Sequence, residues 1–220
     1  MTKKNGREAK KTKAKKTRGG YGHAKGSSFE REICKELSLW WSKGVRDDIF
    51  WRTAGSGARA TVRRKGRDCD TANSTGDMCS LHSSGEPFIR HFLIEMKKGY
   101  TRGGDRIDVL KMIDALEGRK SCLLQQWLDK AWLEAHSAGR KEVWLIFQRD
   151  LSKPMLMVRH SWLAELQDGM SMSFPYPNIQ VGSVEENWSI VGLRDFLNWF
   201  KPEQVIPPGK LKRRSLWLSK

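Results

Sequence analysis

A strand-like apolar run, FLIEMKKG over residues 92–99, ends with a carboxylate and an ammonium two positions apart. Successive residues of a strand point to opposite faces, so Glu95 and Lys97 are expected to project from one face, with Met96 buried behind them. The apolar residues before Glu95 favour a strand close to the core, although the pair could also line a solvated strand face. A carboxylate beside an ammonium can hold a metal ion and stabilise charge that develops on a phosphate.

A second carboxylate, Asp77, becomes a neighbour of Glu95 if the chain between them folds back. The segments MCSLH and FIRHFLIEMK flank SSGEP, whose Gly and Pro predict a β-hairpin centred between Gly85 and Glu86. In that register Asp77 faces Ile94 or Glu95, near enough for two carboxylates to share one divalent ion. With the carbonyl of Met96, waters and phosphate oxygens as further ligands, the set predicts Mg²⁺, with Mn²⁺ as the alternative.

A polar, Gly-rich loop, GSGARATVRRKGRDCDTANSTG, immediately precedes Asp77. Five of its residues form a basic cluster suited to the phosphates of a DNA duplex, with a plain solvated loop as the alternative reading: Arg59, Arg63, Arg64, Lys65 and Arg67. The same loop contains Asp68 and Asp70, which remain alternatives to Asp77 as the metal-binding carboxylate.

Most of the net charge of +16 lies at the two ends of the 220-residue chain. Residues 1–26 carry ten Lys or Arg against Glu8, a net charge of +9, and residues 209–220 carry five basic residues and no acid. The remainder is nearly neutral. Basic extensions of this kind are typical of segments that bind polyanions through phosphate contacts, although they can also be merely solubilising.

Several classes of protein are disfavoured by the sequence. No apolar run approaches the roughly 20 residues of a membrane helix, and the basic N-terminus lacks the apolar stretch of a signal peptide, so we expect no membrane contact and an intracellular location. The four cysteines form no CxxC pair, and the five histidines are widely spaced, which argues against structural zinc and a disulfide framework. No Walker A motif is present.

The hydrophobic periodicity predicts a mixed domain. A helix is expected from Ser27 to about Gly44, a short strand in DDIFWRTAG, and helices near residues 106–116 and 121–137. VWLIF at 143–147 reads as a buried strand and MLMV at 155–158 as its neighbour, followed by short helices in WLAEL and LRDFLNWF. This order indicates an α/β or α+β fold, with helices packed on a mixed sheet.

Gly-Asp77 followed by Glu95-Met96-Lys97 resembles the active-site signature of the PD-(D/E)xK nuclease superfamily, which includes many restriction endonucleases and the archaeal-type Holliday-junction resolvases. GSSFEREICKEL and TAGSGA resemble the first helix and the Gly-Ser-Gly loop of the resolvase-like branch. The resemblance covers about residues 26–160 and implies a restriction-endonuclease-like fold, a mixed central β-sheet flanked by helices.

The resemblance also implies residue roles. Glu30 corresponds to the acid of the first helix, which helps to hold or orient metal and water, although Ser27-x-x-Glu30 also fits a capping box. Gly76 stands where this motif usually has Pro, and the preceding loop is longer than expected. The helix after the hairpin often contributes a Gln that touches the site, which here would be Gln125 or Gln126, with solvated surface as the preferred reading.

The expected organisation is a disordered basic arm (1–26), a nuclease core (27–160), a C-terminal α/β extension packed on the core (161–208) and a basic tail (209–220). We expect a Mg²⁺-dependent DNA endonuclease in which Asp77 and Glu95 hold metal and Lys97 assists attack by water. The resolvase-like resemblance favours branched DNA as substrate and a homodimer. The expected intracellular location is the cytoplasm or nucleoid, or the host cell of a virus or mobile element, which the small size and basic arm would suit. The alternative is a non-catalytic nucleic-acid-binding protein that uses its basic tails and retains a degenerate nuclease fold.

Overall fold

The computed structural model describes residues 19–53, 75–100, 107, 110–111, 122–182 and 187–205. Within these ranges the chain forms six helices and seven strands, together with a 3₁₀ turn at Ser83–Gly85. In chain order they are α1 (Gly19–Trp41), β1 (Phe50–Arg52), β2 (Met78–Ser80), α2 (Glu86–His91), β3 (Phe92–Lys98), α3 (Leu123–Ser137), β4 (Glu142–Gln148), β5 (Met155–Arg159), α4 (His160–Met170), β6 (Asn178–Gly182), β7 (Asn187–Gly192), α5 (Leu193–Trp199) and α6 (Pro202–Val205).

The central sheet has five strands in the order β3-β4-β5-β7-β6. β3 runs parallel to β4, and the other neighbouring pairs are antiparallel. β1 and β2 form a separate two-stranded antiparallel ribbon. The predicted mixed sheet flanked by helices, an α+β fold of the restriction-endonuclease-like type, is confirmed.

Helices cover both faces of the sheet. Alternate residues of each strand point to opposite faces and so belong to different core clusters. On one face, sheet residues such as Ile94 and Trp144 pack with the buried stripe of α1, which comprises Phe29, Ile33, Leu37 and Trp41. On the other face, Leu93 and Leu145 pack against apolar residues of α3. β3 therefore lies between two layers of helices, where the side chains of a site can be shielded from water.

The predicted hairpin between MCSLH and FIRHFLIEMK is wrong. β2 pairs with β1, and the chain between β2 and β3 forms the 3₁₀ turn and α2. The Gly and Pro of SSGEP begin a helix, since Pro87 occupies the first turn of α2, where its missing N–H costs no hydrogen bond. Burial of Phe88 and Ile89 then holds this helix on the core.

The two ends of the domain also differ from expectation. α1 begins at Gly19, so residues 19–26, assigned to the arm, are helical. The C-terminal segment does not pack on a finished core, because β6 and β7 are strands of the central sheet and Phe196 of α5 belongs to the main core cluster. β4, β5, α3, α4 and α5 match their predicted positions, whereas the helix expected at 106–116 lies largely outside the described residues. No helix in the described part of the chain combines the length and apolar character needed to span a bilayer.

Candidate active site

Glu95 and Lys97 project from β3 towards the face that α3 covers. The alternation of β3 sends Ile94 and Met96 into the core cluster on the α1 side and leaves Leu93 with α3. Glu95 is 6% exposed, and Met96 is buried behind the pair, as predicted. Glu95 therefore lies at the buried end of a strand, and the solvated-face alternative is wrong for this residue.

Asp77 is fixed to β3 by its backbone and by its carboxylate. Its N–H donates to the carbonyl of Ile94 (2.8 Å), and its Oδ2 accepts from the N–H of Met96 (2.7 Å). Its own carbonyl accepts from the N–H of Thr53 (3.0 Å), which extends the β1–β2 ribbon towards β3. Asp77 thus lies beside Ile94 and Glu95 as the register argument predicted, although a ribbon end, and not a hairpin, brings it there.

Gly76 shapes the backbone that delivers Asp77. Its φ is +74°, and a Cβ built at this position would lie 2.7 Å from the carbonyl oxygen of Ile94. Proline cannot adopt a positive φ, which explains why Pro is absent before Asp77. The N–H of Gly76 donates to Oε1 of Glu134 (3.2 Å), a buried carboxylate on α3 that sequence reasoning missed.

Three oxygen atoms meet at the ammonium of Lys97. Its Nζ is 3.5 Å from Oδ2 of Asp77 and 3.3 Å from the carbonyl oxygen of Met96, and it also donates to Oε1 of Glu95. These oxygens belong to the residues predicted to bind metal. The three oxygens therefore surround one cation, the ammonium of Lys97.

Burial and charge perturb the pKa values of this group. Burial, followed by the nearby carboxylate of Asp77, raises the pKa of Glu95 to about 7, against the opposing effect of Lys97. Burial of Lys97 opposes its charge, but the carboxylates of Asp77 and Glu95 outweigh this effect and raise the pKa of the ammonium. Lys97 is therefore charged at neutral pH, and Glu95 exchanges a proton near neutrality.

The donor set is suited to a hard divalent ion, because such ions take carboxylate and carbonyl oxygens and complete their shell with water. In the ranges that the structure describes, no group of three or more His, Cys, Asp or Glu side chains could hold a metal. Asp77 and Glu95 would therefore need the Met96 carbonyl and water as further ligands.

A comparison with models of protein families matches residues 21–207 to the family described as "Phage putative PDDEXK endonuclease". The chain belongs to this family. No curated protein and no solved structure matches it. The family assignment confirms the resemblance to the PD-(D/E)xK superfamily, and its match extends well past residue 160, in agreement with the strands that the C-terminal segment adds to the sheet.

Within this PDDEXK family member, Glu30 of α1 lies near the carboxylate pair. Burial and the charge of Asp77 raise the pKa of Glu30, and Arg52 opposes this shift. Nε of Arg52 is 3.2 Å from Oε2 of Glu30, and Arg52 also donates to the hydroxyl of Ser27. Because α1 begins at Gly19, Ser27 lies inside the helix and cannot form the capping box.

Arg52 is a further residue that the sequence reading missed. It is the last residue of β1 and lies directly before the TAGSGA segment, so its position beside the Gly-rich loop was the available signal. Its pairing with Glu30 could not be read from spacing, since the two residues are on separate elements that meet only in the folded chain.

Solvated surface is the preferred reading for Gln125 and Gln126 on α3. Gln125 donates to Asp129 on the exposed side of the helix, and Gln126 is exposed. The residues of α3 nearer to the site are Lys130, whose charge acts on the carboxyl of Glu95, and Glu134. The basic cluster of the 59–67 loop and the alternative carboxylates Asp68 and Asp70 lie outside the described residues.

Proposed function

We propose that the protein is a Mg²⁺-dependent DNA endonuclease that hydrolyses phosphodiester bonds, with Mn²⁺ as a possible substitute for Mg²⁺. The observation that carries the proposal is the convergence of Asp77, Glu95 and the Met96 carbonyl on one cation position at the end of β3. Membership in a PDDEXK endonuclease family supports the same reaction class.

In the proposed reaction, Asp77, Glu95 and the Met96 carbonyl hold the ion, which when bound would polarise the phosphodiester and lower the pKa of a water ligand. The Lys97 ammonium, still tethered to β3, orients the attacking water and stabilises charge that develops on phosphorus. Glu30, whose carboxylate pairs with Arg52, helps to hold or orient the metal and the water.

DNA binding is assigned to the basic segments of the chain. The loop before Asp77 carries a basic cluster 10 to 18 positions upstream of it, and the two charged ends add most of the net charge. The cluster comprises Arg59, Arg63, Arg64, Lys65 and Arg67. Phosphate contacts from such segments position a duplex without reading its sequence. We further propose a structure-selective substrate such as branched DNA, cut by a homodimer inside the cell that contains that DNA.

The test is cleavage of linear duplex, single-stranded and four-way-junction DNA with Mg²⁺ or with EDTA. Glu95→Ala and Lys97→Ala should abolish metal-dependent cleavage while DNA binding persists. Lys98→Ala is the matched control, because Lys98 is the neighbouring lysine but its ammonium lies over the ring of Phe29, 5.3 Å from the centroid. Equal loss of cleavage in the Lys97 and Lys98 variants would contradict the assignment.

A non-catalytic nucleic-acid-binding role is the second candidate, and the concentration of positive charge in the two ends favours it. In that case the full-length protein binds DNA in a salt-dependent manner but cuts none of the three substrates with Mg²⁺ or Mn²⁺, and Glu95→Ala leaves the affinity unchanged.

A further inference from the structure

The chain leaves β3 through an uncommon backbone conformation. Gly99 has φ +100° and Tyr100 has φ +55°, in the left-handed region that residues with a side chain rarely adopt. Two hydrogen bonds hold this turn, from the N–H of Gly99 to the carbonyl of Gln148 (2.9 Å) and from the N–H of Ile107 to the carbonyl of Tyr100 (2.8 Å). Strained residues of this kind concentrate at functional sites.

The turn presents the ring of Tyr100 at the surface. Tyr100 is 43% exposed, and its ring rests edge-to-face on Trp127 of α3, with centroids 4.8 Å apart. Among the described tryptophans and tyrosines, Trp51 and Tyr100 are exposed. Of the two, Tyr100 lies two residues after the end of β3, the strand that carries Glu95 and Lys97. Trp127 therefore supports a tyrosine ring that is not buried in the core.

The aromatic pair borders the candidate active site. Tyr100 is three residues beyond Lys97 and contributes to the electrostatic environment of its ammonium. Trp127 is three residues before Lys130 and seven before Glu134, a spacing that places all three on one face of α3. That face is the one whose Glu134 anchors Gly76 and whose Lys130 acts on Glu95.

We propose that Tyr100, supported by Trp127, stacks on an unpaired nucleobase next to the scissile phosphate. The inference rests on the proposed function and names its substrate class, DNA with an unpaired nucleotide at the cut. An aromatic face can accept a base only when that base has left its own stack, as it does at a branch, a flap or a bulge. A continuous duplex offers no such base and gains nothing from Tyr100.

The test uses a duplex with one unpaired 2-aminopurine and the fully paired duplex of the same sequence. Wild type, Tyr100→Phe and Tyr100→Leu are compared. Phe keeps the aromatic face, whereas Leu keeps apolar bulk against Trp127 but has no aromatic face. Tyr176→Ala is the matched control, since Tyr176 is a half-buried tyrosine that also packs edge-to-face on another aromatic ring, that of Phe174, at 5.5 Å.

Wild type, Tyr100→Phe and Tyr176→Ala should quench 2-aminopurine fluorescence on binding and cleave the unpaired substrate with similar kcat/KM. Tyr100→Leu should lose the quenching and about tenfold in kcat/KM on the unpaired substrate, while its rate on the paired duplex stays within about twofold.

Equal losses of Tyr100→Leu on both substrates, or a Tyr100→Phe variant that behaves like Tyr100→Leu, would overturn the stacking role. The two proposals fail separately. Quenching that depends on Tyr100, without any cleavage, would contradict the nuclease function and support the stacking site. Cleavage that does not depend on Tyr100 would support the nuclease function and contradict the stacking site.

Discussion

The ammonium of Lys97 occupies the position where two carboxylates and a carbonyl meet. It neutralises charge that burial would otherwise make costly, because Asp77 and Glu95 are each less than one-tenth exposed. A divalent ion bound by the same oxygens would satisfy that charge in its place. In the proposed reaction, Lys97 would therefore both compete with the metal and stabilise charge on the reacting phosphate.

Replacing Lys97 with Met should separate these two effects. Loss of the ammonium also raises the pKa of Glu95 further, because Lys97 opposes that shift, so metal affinity is compared on the alkaline side of the Glu95 titration in each protein. There we expect Mn²⁺ or Mg²⁺ to bind several-fold more tightly to the variant, because no ammonium competes for the oxygens. Cleavage should fall by about 100-fold or more, the usual contribution of a positioned proton-transfer or charge-stabilising group. Calorimetric metal titration and single-turnover cleavage measure the two quantities. A variant that loses metal affinity together with cleavage would show that Lys97 does not compete.

Metal binding should depend on pH through Glu95. Its pKa is raised to about 7, so below that pH the metal must displace a proton, and above it the carboxylate is already ionised. Metal affinity should therefore increase as the pH rises to about 7 and level off beyond it, with a limiting slope of about tenfold per pH unit on the acid side. Titrations between pH 5.5 and 8.5 test this expectation. In Glu95→Gln the affinity should be weak at every pH.

The short segment that joins the β1–β2 ribbon to β3 decides where Asp77 lies. Gly76→Ala combines an unfavourable positive φ with a contact to the Ile94 carbonyl, so it should cost about 2–5 kcal/mol of unfolding free energy and weaken metal binding. Gly139→Ala is the control, because Gly139 also has a positive φ (+65°) but a Cβ there meets no atom within 4 Å. It should cost about 1–2 kcal/mol and leave metal affinity unchanged. Denaturant unfolding and metal titration of both variants provide the comparison.

The elements of the site differ in how far the sequence predicted them. Strand alternation was sufficient to predict the faces on which Glu95, Met96 and Lys97 lie, because the three residues are consecutive in one strand and their side chains alternate between its two faces. Asp77 was placed correctly through a wrong hairpin, since any route that returns the chain to Ile94 gives the same neighbour. SSGEP misled because Pro occurs in the first turn of helices as well as in turns, and tertiary burial of α2 decided between the two.

Arg52 and Glu134 were beyond prediction for a different reason. Each contacts residues that are distant in the sequence, Arg52 with Glu30 and Ser27 of α1, and Glu134 with the N–H of Gly76. No periodicity or spacing encodes such a pair. Only the packing of β1 against α1, and of α3 against the sheet, brings them together.

The central sheet contains strands from both the expected nuclease core and the C-terminal segment, since β3, β4 and β5 share it with β7 and β6. β5 pairs with β7, and without β7 the inner edge of β5 would expose its unpaired backbone groups and the apolar residues beside them. A chain ending at residue 160 should therefore fail to reach a native fold, with loss of near-UV circular dichroism and of a sigmoidal melting curve. A stable, monomeric 1–160 fragment would contradict this expectation and restore the predicted boundary.

The charged ends should contribute to affinity and not to chemistry. Deletion of residues 209–220, which carry five basic residues, should lower the salt dependence of DNA binding by about 0.9 in the slope of log K against log salt for each residue that touches a phosphate. The single-turnover cleavage rate at saturating protein should not change. Binding titrations between 50 and 200 mM salt, compared with the full chain, give the slope. An unchanged slope would exclude the tail from the interface.

The indole N–H of Trp40 on α1 donates to the carbonyls of Leu197 and Phe200, both at 3.0 Å, although these residues lie 157 and 160 positions further along the chain. Contacts of such large sequence separation form late, after the intervening chain is available. On the ribosome, α1 therefore emerges well before its packing partner α5. The helix that carries Glu30 therefore lacks these two packing partners until α5 has been synthesised, and the candidate active site reaches its final shape only after that point.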